Sequence, residues 1–438
     1  MILETHNLNM NRSIKLILDV MNHLQLKVMV YCLVLITFCN AQTFPVGQIS
    51  INFKDPLRTG GTAINGGVQM PGTGRDIGTE VFYPAVSNGS LAALASGQFP
   101  VVVFGHGFVM TYDNYDNIYN KLASEGFIVA LPRTEGSFSP SHLDFGKDIA
   151  FLSEAVKSLN TAVSPSLITV FNNKISPKSA LGGHSMGGGC SLVGAQSNTS
   201  ITCVFNMAAA LSNTGGISSQ AGASQVNVPA LYLSAQRDCV VDTTVQTNHY
   251  INTASAKKFQ VILKDMTHCD FGNGASALCV LGQNSSGCPN NTANNNLFNR
   301  YMNYLLPFLK NQLKDDCSEG VRFMDSISTA SSLRSGRKIT GSIACVTGID
   351  DFESGKHISV YPVPSQGDLY FEMNTPGLRI SEVRIHDITG QLVKQVVPEK
   401  SGYLTYKIEG MDLKNGIYLM LVKTSQGEFM RKIQVLQP

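Results

Sequence analysis

The sequence predicts a doubly wound α/β fold with a mostly parallel sheet, followed by a small all-β sandwich. Two patterns lead to this prediction. Residues 42–345 alternate short runs of β-rich apolar residues with longer amphipathic stretches, which is typical of a parallel sheet covered by helices on both faces. Residues 358–438 contain only short strand candidates divided by Gly, Ser, Asn and Pro, as antiparallel sandwiches do.

The elements of the first unit alternate along the chain. Its predicted strands are VVVFGHGF, FIVALP, KSALGGHS, ITCVFN, VPALYLSA and FQVILK. Its predicted helices are YDNIYNKLASEG, GKDIAFLSEAVKSLN, MGGGCSLVGAQS and NLFNRYMNYLLPFLKNQLK. The seven strand candidates of the second unit are ISVYPVP, DLYFEM, ISEVRIHD, QLVKQVV, YLTYKIEG, GIYLMLVK and EFMRKIQVL. We therefore predict domains over residues 42–347 and 358–438, joined by a linker over residues 348–357.

The N-terminal 41 residues are predicted to be a signal peptide. Lys27 precedes the apolar run VMVYCLVLITF and then CNAQ, which gives a basic flank, an apolar core and a small residue at a cleavage site after Ala41. A membrane anchor is the weaker alternative, because a spanning helix needs about 20 apolar residues. Met21 is a candidate for the true start, since MNHLQLK forms an ordinary basic leader.

The amino-acid composition argues against nucleic acid as a partner and is compatible with a neutral polymer. The 438 residues carry a net charge of +2, and 15% of them are charged. Nucleic-acid binding needs a concentrated basic face, so we expect none. A polymeric ligand would be neutral rather than polyanionic. The 43% of apolar residues is sufficient for a packed core.

The strongest motif is GHSMG at residues 183–187. A G-x-S-x-G sequence between a buried strand and a helix indicates a nucleophile elbow, in which a tight turn exposes the serine hydroxyl. The following helix N-terminus favours negative charge beside Ser185. A chance match is the alternative in a chain with 40 glycines, and the strand-before, helix-after context disfavours it. The motif specifies a sheet of the α/β-hydrolase type.

A serine nucleophile needs a base, and in this fold the chain order is Ser, acid, His. The acid belongs after the strand VPALYLSA, where Asp238 is favoured over its rival Asp242 because it lies closer to the strand's end. His268 follows the next strand and is the only histidine between Tyr250 and the linker. We expect His268 to take the proton of Ser185 while Asp238 holds the imidazole.

Two backbone N–H groups are expected to form an oxyanion hole. One is that of Met186, directly after the nucleophile, and the other is that of Phe108, in the loop after VVVFGHG. His106 and His184 flank these positions, and we interpret them as packing or orienting residues. No CxxC pair or HExxH motif occurs, so we expect neither a metal nor a cofactor.

The cysteines predict disulfides. Eight remain once the leader is removed: Cys190, Cys203, Cys239, Cys269, Cys279, Cys288, Cys317 and Cys345. An even number in an exported chain favours disulfides. Cys239 and Cys269 directly follow Asp238 and His268, and we expect them to pair, with two unrelated thiols as the alternative. The further expected pairs are Cys317–Cys345, Cys279–Cys288 and Cys190–Cys203.

GHSMGGG at residues 183–189, followed by CSL, resembles the elbow of bacterial cutinases and polyester hydrolases. The resemblance continues through VPALYLSAQRD and the His268 loop, and covers most of residues 75–345. It implies hydrolysis of polyesters such as poly(ethylene terephthalate). It also implies catalytic roles for Ser185, Asp238 and His268 and oxyanion roles for Phe108 and Met186. Those enzymes usually carry a Trp after the elbow helix, whereas this chain has FNMAAAL there and no Trp, which weakens the case for aromatic polyesters.

Other stretches resemble chlorophyllase-like and dienelactone-hydrolase-like enzymes of the same superfamily, namely GHGFVMTYDNYDNIYNKLASEGFIVALP and THCDF. A chlorophyllase-like or lipase-like esterase acting on small or lipid esters is therefore an alternative. A serine peptidase is a further one, although nothing suggests the propeller or cap domain that often restricts peptide access in such folds. A non-catalytic surface protein is disfavoured by the intact Ser, Asp and His set.

The C-terminal 81 residues, 358–438, resemble the sorting domain of the type IX secretion system. YPVPSQGDLYF, IHDITGQLV, LKNGIYLMLV and the basic MRKIQVLQP end carry the resemblance. It implies export across the outer membrane by that machinery and removal of the tail. A carbohydrate- or surface-binding sandwich is the alternative. We expect a monomer that is secreted, to the extracellular space or the cell surface.

Overall fold

The fold is described from a computed structural model. The structure describes residues 43–213, 216–274, 276–287, 295–343, 358–366, 368–373, 380–388, 390–397, 405–408, 413–424 and 427–437. The predicted signal peptide and linker lie outside these residues. The chain divides into two compact units, Met1–Ile343 and Ala344–Pro438. In the described part of both units, no helix is long and apolar enough to cross a membrane.

A single large sheet forms the centre of the first unit. Its strands are β1 (Val46–Asp55), β2 (Gly61–Thr62), β3 (Val68–Gln69), β4 (Arg75–Pro84), β5 (Gly89–Ser90), β6 (Phe99–Gly105), β7 (Ile128–Pro132), β8 (Ile175–His184), β9 (Cys203–Met207), β10 (Ala230–Ala235), β11 (Lys258–Leu263) and β12 (Arg334–Thr340). The main order is β12-β11-β10-β9-β8-β6-β7-β4-β1-β3, with β2 on β4 and β5 on β1. From β7 to β11 all neighbours are parallel. The flanking pairs β4–β7, β1–β4 and β11–β12 are antiparallel.

Helices cover both faces of this sheet. They are α1 (Asp116–Ser124), α2 (His142–Ser158), α3 (Met186–Ala195), α4 (Ser219–Ala223), α5 (Thr243–Asn252), α6 (Ala277–Ser285), α7 (Asn295–Lys314) and α8 (Cys317–Ser328). Short 3-10 helices occupy Tyr112–Tyr115, Leu159–Thr161, Ser166–Phe171 and His268–Phe271. Consecutive side chains of a strand point to opposite faces. Val102 and Phe104 of β6 accordingly pack in the core that contains α1 and α7, whereas Val101 and Val103 pack in the core that contains α2 and α3.

The predicted fold class is confirmed: the first unit is a doubly wound, mostly parallel sheet of the α/β-hydrolase type. The antiparallel strands β1, β4 and β12 and the helices α4, α5, α6 and α8 were not predicted. The reason is visible in their residues. β1 carries the polar Ser50 and Asn52 between its apolar positions, and β12 is the partly exposed, basic RSGRKIT, so neither shows the continuous apolar run of the central strands.

The second unit is all-β, as predicted. β13 (Ile358–Tyr361), β14 (Leu369–Met373) and β17 (Thr405–Ile408) form one sheet in the order β13-β14-β17. β15 (Ile380–Asp387), β16 (Leu392–Val396), β18 (Gly416–Thr424) and β19 (Gly427–Val435) form the other, in the order β16-β15-β18-β19. All these pairs are antiparallel. Apolar side chains from both sheets, such as Phe371 and Val422, share one core.

The predicted pairing of Cys239 with Cys269 is wrong. Cys269 is bonded to Cys279 on α6, ten residues further along the chain, so the expected Cys279–Cys288 pair is wrong as well. The backbone N–H of Cys269 donates to the side-chain oxygen of Gln283 at 3.1 Å, which docks α6 against the His268 loop and places Cys279 within reach. Cys239 is exposed and is itself disulfide-bonded.

The expected Cys190–Cys203 disulfide is also wrong. Both thiols are free and buried. Cys190, on α3, belongs to the core on one face of the sheet, and Cys203, on β9, belongs to the core on the other. The sheet therefore separates them. Cys317 is disulfide-bonded, but its predicted partner Cys345 lies outside the described residues, so that pairing stays a prediction.

Candidate active site

Ser185 occupies the tight turn between β8 and α3. Its backbone has φ 53° and ψ −118°, in the left-handed region that non-glycine residues rarely adopt. Three hydrogen bonds hold it there: its N–H donates to the carbonyl of Met207 at 2.9 Å, and its carbonyl accepts from the N–H groups of Gly189 and Ala210 at 3.1 and 2.9 Å. The turn thus lifts the Ser185 side chain from the end of a buried strand.

Two glycines make the turn sterically possible. A Cβ on Gly183 would lie 2.6 Å from the carbonyl oxygen of Gly105, and a Cβ on Gly187 would lie 2.2 Å from the carbonyl carbon of Gly105. These are contacts with backbone atoms of the neighbouring strand β6, which cannot move aside. The motif therefore requires glycine at both positions because β6 packs directly against the elbow.

The structure brings Ser185, His268 and Asp238 together. His268 begins the 3-10 helix after β11, and its Nε2 lies 2.8 Å from Oγ of Ser185. Its Nδ1 lies 2.8 Å from Oδ2 of Asp238, in the loop after β10. Because a carboxylate only accepts hydrogen bonds, Nδ1 carries the proton and Nε2 is free to accept from the serine. All three residues are at most 9% exposed.

Hydrogen-bond donors surround the carboxylate of Asp238. Oδ1 accepts from the backbone N–H groups of Val240 and Val241 at 2.9 and 2.8 Å. Oδ2 accepts from Nε2 of Gln246 at 3.2 Å in addition to Nδ1 of His268. Four donors suit a group that has only acceptors. The loop geometry therefore fixes both the position of the carboxylate and the direction in which it faces the imidazole.

The rival acid, Asp242, has a different place. It is the N-cap of α5, where its Oδ1 accepts from the backbone N–H of Thr244 at 2.6 Å. Hydrogen bonds from the side chain of Thr244 and from this backbone N–H lower the pKa of Asp242. Ser, Thr, Asp and Asn are the preferred residues at such a cap, so the position of Asp242 is accounted for by the helix start.

The two expected oxyanion donors belong to segments that meet at the elbow. Met186 is the first residue of α3, and Phe108 lies in the turn after β6. The N–H of Gly187 donates to the carbonyl of His106 at 3.0 Å, which joins that turn to the elbow. Within the part of the chain that the structure describes, the backbone N–H groups of Phe108 and Met186 have no acceptor.

His184 and His106 are fully buried beside the site. Nε2 of His184 lies 2.9 Å from the carbonyl of His268, and its Nδ1 lies 2.9 Å from the hydroxyl of Tyr115. Burial lowers the pKa of both histidines, and that of His184 lies well below its usual range. Sequence reasoning missed Tyr115, because nothing in YDNYDNIY distinguishes a site residue from a core aromatic residue.

An apolar cleft of about 300 Å³ opens beside Ser185 and His268. Its apolar lining comes from the loops after β6, β7 and β10 and from α6: Phe108, Val109, Met110, Phe138, Val240, Leu278 and Leu281. Several of these side chains also face solvent, with exposures of 46% for Phe108, 75% for Phe138 and 60% for Leu281. We call this surface the apolar cleft. The described residues contain no cluster of three or more His, Cys, Asp and Glu side chains that could hold a metal.

Comparison with known families matches two parts of the chain. Residues 89–227 match the chlorophyllase family, and residues 359–436 match the secretion system C-terminal sorting domain. The first match includes Phe108 and Ser185 and ends before Asp238. No curated protein matches the chain. Residues 89–227 are therefore similar to a chlorophyllase-family domain, which supports a hydrolase of the α/β-hydrolase type. Residues 359–436 form a type IX sorting domain, which directs the protein to the cell surface or the extracellular space.

Proposed function

We propose that the protein is a secreted serine carboxylic-ester hydrolase that forms an acyl-enzyme on Ser185. The observation that carries this proposal is the pair of 2.8 Å contacts that join Oγ of Ser185 to His268 and His268 to Asp238. This is the arrangement in which a histidine removes the serine proton during attack and a carboxylate stabilises the resulting imidazolium.

The proposed reaction has two halves. Oγ of Ser185 attacks the ester carbonyl while Nε2 of His268 accepts its proton, and the tetrahedral oxyanion receives hydrogen bonds from the N–H groups of Phe108 and Met186. His268 then gives that proton to the alcohol oxygen as the carbon–oxygen bond breaks. In the second half His268 removes a proton from water, the hydroxide attacks the acyl carbonyl, and Ser185 leaves with its proton restored.

The apolar cleft supports a substrate with a bulky apolar part next to the ester. Its lining offers aromatic and branched aliphatic side chains, and among the described lining residues His268 alone has a titratable side chain. Burying an apolar group against it is worth about 25 cal/mol per Å² of surface removed from water. We propose a cutinase-type or polyesterase-type specificity, including poly(ethylene terephthalate), with the absence of Trp weighing against tight binding of aromatic polymers.

A second candidate follows from the chlorophyllase match. An ester of a long apolar alcohol would place that alcohol, rather than an acyl chain, in the apolar cleft. A peptidase is the less favoured alternative, because apart from Ser185 and His268 the described lining of the cleft offers one polar side chain, that of Ser285, for hydrogen bonds to a peptide.

The test is a substrate panel on purified protein with Ser185→Ala as the matched control. The panel contains p-nitrophenyl acetate, butyrate and decanoate, chlorophyll, an unstructured peptide and amorphous polyester film. We expect hydrolysis of the p-nitrophenyl esters, with kcat/KM rising from acetate to butyrate, and no activity in Ser185→Ala. Cleavage of the peptide alone, or ester hydrolysis that survives in Ser185→Ala, would contradict the proposal. Product release from film or from chlorophyll decides between the two ester specificities.

A further inference from the structure

A chain of buried hydrogen bonds, all donated in the same direction, joins two loops of the site. One is the turn after β6 that contains Gly107 and Phe108, which we call the oxyanion loop, and the other is the loop that contains His268. The N–H of Gly107 donates to the hydroxyl oxygen of Tyr115 at 2.9 Å. That hydroxyl lies 2.9 Å from Nδ1 of His184, and Nε2 of His184 lies 2.9 Å from the carbonyl of His268. Tyr115 and His184 are both 0% exposed, so water does not compete for these bonds.

The chemistry of the end groups fixes every proton in this chain. The carbonyl of His268 only accepts, so Nε2 of His184 must be the protonated nitrogen. In the neutral ring Nδ1 is then an acceptor, and the hydroxyl of Tyr115 donates to it. The sulfur of Met110, 3.1 Å from the same hydroxyl, is a weak acceptor and competes poorly. A donor on Nδ1 also blocks the one position at which His184 could take a second proton.

The residues at the two ends explain why the chain matters. Gly107 directly precedes Phe108, whose N–H is a proposed oxyanion donor, and His268 is the proposed base. His184 directly precedes Ser185, and its ring centroid lies 4.7 Å from that of His268. A protonated His184 would therefore oppose the positive charge that His268 acquires during attack, because like charges at this distance repel strongly in a buried site.

We propose that Tyr115 and His184 are positioning residues, which fix the relative positions of the oxyanion loop, the elbow and the base His268. This inference rests on the proposed function. Neither side chain touches the substrate. Their contribution is to the transition state, where the oxyanion donor and the base must both be in place, and misplacement of such groups by about 1 Å can cost about 100-fold in rate.

The test compares variants that break or restore the chain. Tyr115→Phe removes the hydroxyl and keeps the ring. His184→Leu removes both ring nitrogens, whereas the amide of His184→Gln offers an NH₂ donor and a carbonyl acceptor and can restore both bonds. Tyr83→Phe is the matched control, because Tyr83 is 1% exposed and its hydroxyl donates one hydrogen bond, to Ala92, away from the site.

We expect kcat for p-nitrophenyl butyrate to fall roughly 10-fold to 100-fold in Tyr115→Phe and His184→Leu, with KM changed by less than about twofold. Affinity for phenylboronic acid, which forms a tetrahedral adduct with a catalytic serine, should fall in parallel. His184→Gln should recover most of the loss. The kcat of the double variant Tyr115→Phe/His184→Leu should be no lower than that of the less active single variant, because both substitutions break the same hydrogen-bonded chain.

Rates are compared well below the Tm of each variant, so that loss of fold is not read as loss of catalysis. If His184→Leu does not fold, Tyr115→Phe and His184→Gln carry the test. Folded Tyr115→Phe with kcat within twofold of wild type overturns the proposal, as do additive losses in the double variant or an equal loss in Tyr83→Phe. Failure of the proposed function is distinct from these results, because it appears as absence of ester hydrolysis by the wild type or its survival in Ser185→Ala.

Discussion

Replacing Asp238 by Asn should disable the site while leaving its shape almost intact. All four groups that face this carboxylate are donors, namely the N–H groups of Val240 and Val241, Nε2 of Gln246 and Nδ1 of His268. An amide has one acceptor oxygen and one NH₂ donor. If the amide oxygen keeps the two backbone bonds, its NH₂ faces Nδ1 of His268.

That arrangement forces the wrong tautomer. Nδ1 of His268 must become the acceptor, so Nε2 carries the proton and points it at Oγ of Ser185. The imidazole can then no longer remove the serine proton. The loss expected for this change in a Ser-His-Asp triad is about 10⁴-fold in kcat, or about 5 kcal/mol of barrier. The opposite amide orientation is no remedy, because its NH₂ would meet the two backbone donors.

Asp242→Asn is the matched control. Asn caps a helix as well as Asp does, so the bond to the N–H of Thr244 is kept and activity should stay within about twofold of wild type. The assay is kcat for p-nitrophenyl butyrate, with circular dichroism to verify that both variants are folded. If Asp238→Asn keeps a tenth or more of the wild-type kcat, Asp238 does not set the tautomer of His268. A comparable loss of kcat in Asp242→Asn would equally contradict the assignment of Asp238 as the acid.

Two further predictions concern stability. Replacing Cys269 and Cys279 by Ser should lower the free energy of unfolding by about 3 kcal/mol in the chain-entropy model, because the disulfide spans a sequence separation of 10. The same change should raise KM for p-nitrophenyl decanoate more than KM for the acetate, since Leu278 beside Cys279 lines the apolar cleft. Equal KM changes for both esters would contradict the second part. Burial lowers the pKa of His249 to about 4. Between pH 6.5 and 4 the unfolded chain therefore binds a proton that the folded chain does not. The free energy of unfolding should fall by about 3 kcal/mol as the pH drops from above 6.5 to 4. Urea denaturation at pH 7, 5.5 and 4.5 should show a flatter pH dependence in His249→Gln, and parallel curves would rule out this assignment.

The parts of the fold that could be predicted are those with one dominant physical signal. The central strands are apolar throughout because both faces of the sheet are covered, and the elbow is marked by glycines that β6 leaves no room to replace. Parallel strands have their carboxyl ends at one edge of the sheet, so side chains that follow β8, β10 and β11 can meet there. Ser185, Asp238 and His268 could thus be placed at one edge from sequence.

What could not be predicted depends on contacts between distant segments. β1 and β4 lie on the antiparallel side of the sheet and carry buried polar side chains, such as Asn52 and Glu80. These polar residues interrupt the apolar runs from which the other strands were predicted. The partner of Cys269 is decided by the docking of α6, and adjacency of Cys239 to Asp238 says nothing about distance in space. The role of Tyr115 likewise arises from a hydroxyl that meets His184, 69 residues further along the chain.

Stoichiometric labelling with a fluorophosphonate measures whether Ser185 is the residue that forms the proposed covalent intermediate. Intact mass spectrometry should show one adduct per chain, and peptide mapping should place it on Ser185. The label should be absent from Ser185→Ala, and it should form far more slowly in His268→Ala, because the base that activates the hydroxyl is missing. A wild-type chain that stays unlabelled, or a label on another residue that persists in Ser185→Ala, would contradict the account.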